Sequence, residues 1–201
     1  TYRATYTGFN GTQVVTRMLE TDDFRAFSSM GLTGKAVHNK GLALFPRLIN
    51  GKHCAVSRWD RESNSVAWSD DGYHWNEVSS FHVAAQPWDL IHVGNCGSPI
   101  ETDEGWLLLT HGAGPMRRYG ISAMLLDLED PSRMLRMLTT PLIEPNEDER
   151  DGYVPNVVYS CGSLIHHDRL YIPYGYSDIG TKFASVDVRE LIDAMEPSNL
   201  R

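Results

Sequence analysis

The chain has 201 residues, of which 41% are hydrophobic, and a mean hydropathy of −0.34, which is typical of a globular protein. Its 26 acidic and 18 basic residues give a net charge of −8 at pH 7, which argues against a nucleic-acid partner because phosphate backbones bind basic surfaces. No apolar run reaches the length of about 18 residues that a membrane-spanning helix needs. No basic-then-apolar leader is visible, so we expect a cytoplasmic protein without a membrane partner.

The first part of the chain predicts β-hairpins. Residues 2–8 alternate aromatic and small polar side chains, and after a glycine-rich reversal a returning strand is expected over 12–18. The clearest hairpin covers 42–58, where Asn50-Gly51 separates two apolar runs; both residues tolerate the positive φ of a tight turn. A further strand is expected over 65–68.

The same hairpin outline recurs along the chain. Three segments share an apolar pair, a polar turn, four or five apolar residues and a polar exit: 46–58, 98–112 and 163–175. Their spacing of about 50 to 65 residues is typical of small antiparallel sheets that repeat as propeller blades. Helix is expected only as a turn or two over 131–137 and as a short helix over 189–195. The prediction is an all-β fold, a single β-propeller domain over residues 1–201.

Polar residues at the ends of these strands converge on a central channel if the hairpins are arranged radially. Carboxylates, cationic groups and aromatic rings together suit a sugar site, because they bind hydroxyls and stack on the apolar sugar face. The candidates are Lys40, Arg58, Glu101, Arg118, Tyr119, Glu144, Tyr159 and Asp178. A stiff hairpin within 152–178 is expected to bring Tyr159 and Asp178 to one site.

Each candidate also has a plainer interpretation. Arg58 could form a surface ion pair, Glu101 could lie in a solvated turn, and Asp178 could bond the backbone of its own loop. His166-His167 is more typical of an exposed hairpin tip than of a metal pair. The sequence contains no metal, phosphate-loop or nucleotide motif, so no metal and no organic cofactor are expected.

Several motifs, in their order along the chain, resemble glycoside hydrolase family 130. They are NKGLALFPRLINGK, GWLLLTHG, MRRYGISAMLLDLEDPSR, PLIEP and GYVPNVVYSCGSLIHHDRLYIPYG. The resemblance extends from residue 2 to residue 191. That family comprises β-mannoside phosphorylases and β-mannosidases with a five-bladed β-propeller. The resemblance therefore implies an incomplete propeller of about three blades that lacks the N-terminal blades.

The resemblance also implies roles for individual residues. Lys40 and Arg58 match basic positions near the −1 sugar and the phosphate, and Tyr119, Tyr159 and Asp178 match positions that line the sugar pocket. The general acid of the family is an Asp in a Glu-Asp-Pro-Arg motif. This sequence contains no such motif, so the acid is expected outside these residues and the isolated chain is expected to be inactive.

Glu101 matches a position where the phosphorylases carry a phosphate-binding Lys. A glutamate there would repel a phosphate dianion but could deprotonate water as the base of an inverting glycosidase, with Glu144 as a second acid. The sequence therefore predicts a glycosidase that acts on β-mannosides (manno-oligosaccharides) by inverting hydrolysis.

Two alternatives remain open. The first is a β-mannoside phosphorylase that produces mannose 1-phosphate, with inorganic phosphate as co-substrate and positive charge from Arg58, Arg117 and Arg118. The second is a non-catalytic propeller that binds carbohydrate. The expected partners are a β-mannoside oligosaccharide and either a second copy of the chain, in a homo-oligomer, or the missing N-terminal blades.

Overall fold

The computed structural model describes residues 1–198 and is built almost entirely of antiparallel β-strands, so the all-β prediction is confirmed. Residues 199–201, which the predicted 1–201 domain includes, lie outside the described residues. The described strands form four sheets in a propeller-like arrangement. The number of sheets thus differs from the predicted three or so blades, because the N-terminal hairpin and the strand after it form a sheet of their own.

The sheets follow one another along the chain. The first contains β1 (Tyr2–Phe9), β2 (Val14–Thr21) and β3 (Ser28–Gly31). The second contains β4 (Ala43–Leu44), β5 (His53–Ser57), β6 (Asn64–Ser69) and β7 (Glu77–His82). After β8 (His92–Asn95), the third contains β9 (Ile100–Thr102), β10 (Gly105–Ala113), β11 (Tyr119–Leu126) and β12 (Met134–Met137).

The fourth sheet contains β13 (Val158–Tyr159), β14 (Leu164–His166), β15 (Arg169–Tyr176) and β16 (Gly180–Asp187), and β15 pairs with the other three strands. The chain then forms the helix α1 (Val188–Asp193) and the strand β17 (Glu196–Pro197). β17 pairs with β12, so the end of the described chain returns to the third sheet. Short 3-10 helices occur at Lys35–Val37, Pro115–Arg117 and Glu147–Glu149.

Two tight turns confirm the hairpin predictions. Asn50 and Gly51 have φ angles of 51° and 78°, and Ile49 and Lys52 exchange backbone hydrogen bonds of 3.0 Å across them. At the β14–β15 turn, His167 and Asp168 also have positive φ angles, of 48° and 61°. Both turns have the left-handed backbone that matches the twist of the strands they join.

The core consists of three apolar clusters, each between two consecutive sheets. β10 shows why its sequence is an unbroken apolar run. Trp106 and Leu108 pack toward the second sheet, whereas Leu107 and Leu109 pack toward the fourth, so both faces of the strand are buried. Face-to-face packing of successive sheets brings the same ends of their strands together.

The helix predictions had opposite outcomes. The helix expected over 189–195 is confirmed as α1. Asp187 caps its first turn: the carboxylate accepts hydrogen bonds from the backbone N–H groups of Arg189 and Glu190, at 2.9 and 3.1 Å. The turn of helix expected over 131–137 is wrong, because Met134–Met137 is paired on both sides, with β11 and β17. No helix within residues 1–198 is long and apolar enough to cross a membrane.

Candidate functional site

A cavity of about 920 Å³ lies where residues from all four sheets meet. Its polar lining includes cationic, imidazole, amide, phenol and carboxylate groups: Arg3, Lys40, Arg58, His92, Asn95, His111, Arg117, Tyr119, Tyr159 and Asp178. These residues are widely separated along the sequence, so the sheet arrangement brings them together. The volume is in the range of small-molecule binding sites.

Five of the eight predicted site residues line this cavity: Lys40, Arg58, Tyr119, Tyr159 and Asp178. The hairpin within 152–178 brings two of them together as expected. Tyr159 pairs with Gly175 at the end of β15, and the chain turns directly afterwards through Ser177 and Asp178, which have φ angles of 47° and 54°.

Glu101 is not among the residues that line the cavity. Its carboxylate accepts from Arg47 Nε at 2.9 Å and pairs with Arg47 Nη2 at 2.8 Å, in a partly exposed ion pair. In the register of β9 and β10, Glu101 is opposite Trp106, five residues from the cavity residue His111. At 3.4 Å per residue this is a separation of about 17 Å along the strand. The expectation that Glu101 shares the hollow with the other candidates is therefore wrong.

Glu144 and Arg118 lie at a second cavity, of about 530 Å³. Arg118 Nη2 is 3.4 Å from Glu144 Oε2, and Trp88 and Met116 contribute apolar walls. The neighbouring Arg117 lines the main cavity instead, because successive side chains of this loop point to different sides. The structure therefore separates Glu144 and Arg118 from the five residues of the main cavity.

One polar contact within the main cavity joins Arg58 and His111. Arg58 Nη1 is 3.4 Å from His111 Nε2, and since a guanidinium can only donate, Nε2 accepts. The ring proton of His111 is then on Nδ1, 3.7 Å from Cys96 Sγ. Burial, reinforced by the positive charge of Arg58, lowers the pKa of His111 to about 3, so this imidazole is neutral at pH 7.

Aromatic rings surround His111. The ring of Tyr119 is stacked at 17° with the centroids 6.1 Å apart, and Tyr159 meets His111 edge-on at 5.1 Å. His92 lies 5.4 Å from the Tyr119 ring, and burial together with the charges of Arg58 and Lys40 lowers its pKa. Desolvation raises the pKa of Tyr159 to about 12, so its hydroxyl keeps its proton and can donate. The wall combines flat rings with neutral hydrogen-bonding groups.

Gly94 explains how Arg58 and His111 approach each other. A Cβ at this position would lie 2.7 Å from both Arg58 Cδ and His111 Nε2, which real Cβ atoms essentially never do. The pair therefore packs against bare backbone in the middle of β8. A glycine inside a strand often marks such a close approach, and this is a signal that the sequence contains.

Several polar residues of the cavity are absent from the candidates predicted from the sequence, among them Arg3, His92, Asn95 and His111. The sequence analysis names Arg117 only as a source of positive charge for phosphorolysis. His111 had a detectable signal, since it is the polar exit of the apolar run of β10. Arg3 had none, because it lies in an exposed edge strand. Within residues 1–198, no group of three or more His, Cys, Asp or Glu side chains is arranged to hold a metal ion.

Fold and cavity together define a propeller-like β-protein with a polar, aromatic-walled cavity at the meeting point of its sheets. The chain belongs to glycoside hydrolase family 130: the family model, described as beta-1,4-mannooligosaccharide phosphorylase, matches residues 1–197. The family resemblance of the sequence motifs is thereby confirmed.

Two curated relatives illustrate the similarity. The chain is 36% identical over 160 residues to a 1,2-beta-oligomannan phosphorylase of Thermoanaerobacter sp. (strain X514), covering 76% of this chain and 52% of that protein. It is 32% identical over 206 residues to a beta-1,2-mannobiose phosphorylase of Listeria innocua, covering 98% and 57%. The chain thus spans little more than half the length of these relatives.

A solved structure shows the same family similarity. The structure of beta-1,2-mannobiose phosphorylase from Listeria innocua in complex with beta-1,2-mannobiose superposes with a TM-score of 0.87 at 29% identity. The superposition covers 96% of this chain and 57% of that one.

Proposed function

We propose that the protein is a β-mannoside phosphorylase, which cleaves manno-oligosaccharides with inorganic phosphate and releases mannose 1-phosphate. One observation carries the proposal. Among residues 1–198, four cationic side chains line the main cavity, namely Arg3, Lys40, Arg58 and Arg117. Arg3 is paired with Glu20 at 2.7 Å, which leaves Lys40, Arg58 and Arg117 against the single carboxylate of Asp178. In a chain of net charge −8, this local excess of positive charge favours an anionic co-substrate.

Inverting hydrolysis, the main expectation from the sequence, has less support. It needs a carboxylate base close to the sugar as well as an acid. Glu101, the proposed base, is bound to Arg47 outside the cavity, and the hydrogen bond from Arg47 lowers its pKa, which makes it a weaker base. The curated relatives described above are named phosphorylases, which also favours the phosphate-dependent reaction.

The proposed reaction is a single displacement. A phosphate oxygen attacks the anomeric carbon, the glycosidic C–O bond breaks, and the leaving oxygen takes a proton from an acid. Arg58 and Lys40, with Arg117, would hold the phosphate, because cationic donors bind its oxygens strongly. Asp178 would bind sugar hydroxyls, and Tyr119 and Tyr159 would stack against the sugar face. We propose that the acid is supplied from outside these 201 residues, as the family motif implies.

The test measures product with and without phosphate. The protein expressed from its natural gene is incubated with β-1,2- and β-1,4-mannobiose, and we expect mannose 1-phosphate only when phosphate is present. Release of free mannose at the same rate in phosphate-free buffer would refute phosphorolysis and restore the hydrolase. Binding of mannobiose without any turnover would favour the non-catalytic propeller.

A variant pair tests the role of the cavity charge. Arg58→Ala should raise the KM for phosphate about 10- to 150-fold, the equivalent of one charge-assisted hydrogen bond of about 1.5–3 kcal/mol. Arg47→Ala removes an arginine whose ion pair lies outside the cavity, so it serves as the matched control and should leave this KM unchanged. An equal effect of both substitutions would show that the cavity charge is not what binds phosphate.

Other expectations stay proposals. They are a cytoplasmic location, inorganic phosphate as the only co-substrate without a further cofactor, a homo-oligomer, and the five-bladed propeller of the complete protein. Gel filtration with light scattering would test the oligomer, since a monomer at micromolar concentration would contradict it.

A further inference from the structure

Asn95 has an unusual place in the main cavity. It ends β8 and is only 4% exposed, yet it is one of the residues that line the cavity. Its Oδ1 atom has no hydrogen-bond partner among residues 1–198. Buried acceptors in folded proteins are almost always paired, so this oxygen requires an explanation.

The orientation of the Asn95 amide follows from its surroundings. Its other end is 3.4 Å from the carbonyl oxygen of Gly97, which can only accept, so that end is the NH2 group. The free end is therefore the oxygen. A flipped amide would place two acceptors against each other at Gly97 and leave a donor in the cavity.

Gly41 packs closely against the amide oxygen. A Cβ at Gly41 would lie 3.1 Å from Asn95 Oδ1 and 3.2 Å from Arg58 Cβ, so a larger residue would fill the space between these two side chains. Gly41 has a φ of 92°, a conformation that other residues rarely adopt, and it lines the same cavity. The buried amide oxygen is thus a neighbour of Gly41 and of the stem of Arg58 in the wall of the main cavity.

The hydrogen-bonding capacity of Asn95 Oδ1 indicates what kind of group it binds. A carboxamide oxygen accepts and cannot donate, so it needs a hydrogen-bond donor. A phosphate dianion carries a single proton and binds mainly as an acceptor, whereas every free sugar hydroxyl can donate. We infer that Asn95 Oδ1 accepts a hydrogen bond from one hydroxyl of the bound mannoside and so determines which sugars bind beside Arg58. This inference rests on the proposed function, because it takes the ligand to be a mannoside.

Other unpartnered atoms do not share this position. Asn64 Oδ1, Ser65 Oγ and Asp89 Oδ2 are also buried without a partner in the described chain, but none of the three residues lines either cavity. Asn64 is therefore a matched control, since it is a fully buried asparagine with the same unpaired atom.

The experiment combines substrate analogues with variants. Binding of β-1,2-mannobiose and of its monodeoxyfluoro analogues is measured by calorimetry, because fluorine removes the donor while keeping a weak acceptor. For one analogue, the wild-type protein should lose about tenfold or more in affinity, while Asn95→Ala binds that analogue and the parent sugar about equally. Asn95→Ser serves as a second variant if the alanine variant does not fold. Asn64→Ala should keep the wild-type pattern.

Each outcome is decisive. The inference is overturned if all analogues lose the same factor in the wild-type protein and in the Asn95 variants. It is also overturned if Asn95→Ala weakens phosphate binding and leaves mannoside binding unchanged. If the wild-type protein binds no mannoside at all, the proposed function fails together with the inference, and the parent-sugar titration alone identifies that case.

Discussion

His111 should make the stability of the fold sensitive to mild acid. Its pKa is lowered from an ordinary value of 6.5 to about 3, first by burial and then by the charge of Arg58. Below pH 6.5 the unfolded chain binds a proton on this imidazole, whereas the folded chain does not until about pH 3. Stability is therefore fully present above pH 6.5 and falls as the pH drops through this window.

The magnitude follows from the two pKa values. Each pH unit between them corresponds to about 1.4 kcal/mol, so the whole window from pH 6.5 to 3 amounts to roughly 5 kcal/mol. Between pH 7 and pH 5 the free energy of unfolding should fall by about 2 kcal/mol through His111 alone. His82, whose pKa burial lowers to about 4, adds to the same slope.

The assay is urea denaturation at pH 7, 6 and 5. Replacing His111 by Gln removes the titrating group, so the difference between pH 7 and pH 5 should shrink by about 2 kcal/mol relative to the wild-type protein. His166→Gln removes an exposed imidazole at the β14–β15 turn and serves as the control substitution. If His111→Gln keeps the full wild-type slope, the assignment of His111 as a neutral, buried acceptor for Arg58 is refuted.

Further predictions concern the packing at Gly94, the thiol of Cys161 and the carboxylate of Glu101. Gly94→Ala should destabilise the fold by about 1–3 kcal/mol, because the added Cβ overpacks the site. Gly162→Ala is the control, since a Cβ there meets nothing within 4 Å, and thermal unfolding of the two variants tests the difference. Cys161 is exposed whereas Cys54 and Cys96 are buried, so a thiol reagent should label Cys161 alone in the native protein. Because Cys161 also lines the main cavity, a bound manno-oligosaccharide should slow the labelling. Glu101→Gln should change kcat less than threefold, because its exposed pair with Arg47 is outside the cavity; a loss of about a hundredfold would restore Glu101 as a catalytic group.

Local chemistry made part of the fold predictable. The Asn50-Gly51 turn and the capped helix α1 depend on neighbouring residues only, and both occur where the sequence indicates them. Residues 134–137 are the counter-example. Met-Leu-Arg-Met is a good helix former in isolation, but the chain ends by adding β17 to this segment, and pairing on both sides outweighs the local preference.

The site was predictable where residues follow a strand directly. Arg58 comes just after β5 and Tyr119 begins β11, so a radial arrangement of hairpins is enough to place both in the centre. Residues on exposed segments gave no such signal. Arg3 lies in an edge strand whose side chains are nearly all exposed, and its contribution to the cavity depends on how the first sheet packs against the second.

Glu101 matches a motif position of the family, but its place in the structure does not suit the catalytic role that the motif implied. The hydrolysis prediction depended on that one residue, at the tip of a hairpin whose other end reaches the cavity. The turn and the exit of a hairpin lie at opposite ends. Glu101 pairs with Trp106 next to the turn, five residues along β10 from His111, so the two side chains do not reach the same hollow. The strand register thus decides which groups reach the cavity. The end of β10 that lines the cavity carries the neutral imidazole of His111, which contacts Arg58. The carboxylate of Glu101 lies at the opposite end of the hairpin, paired with Arg47.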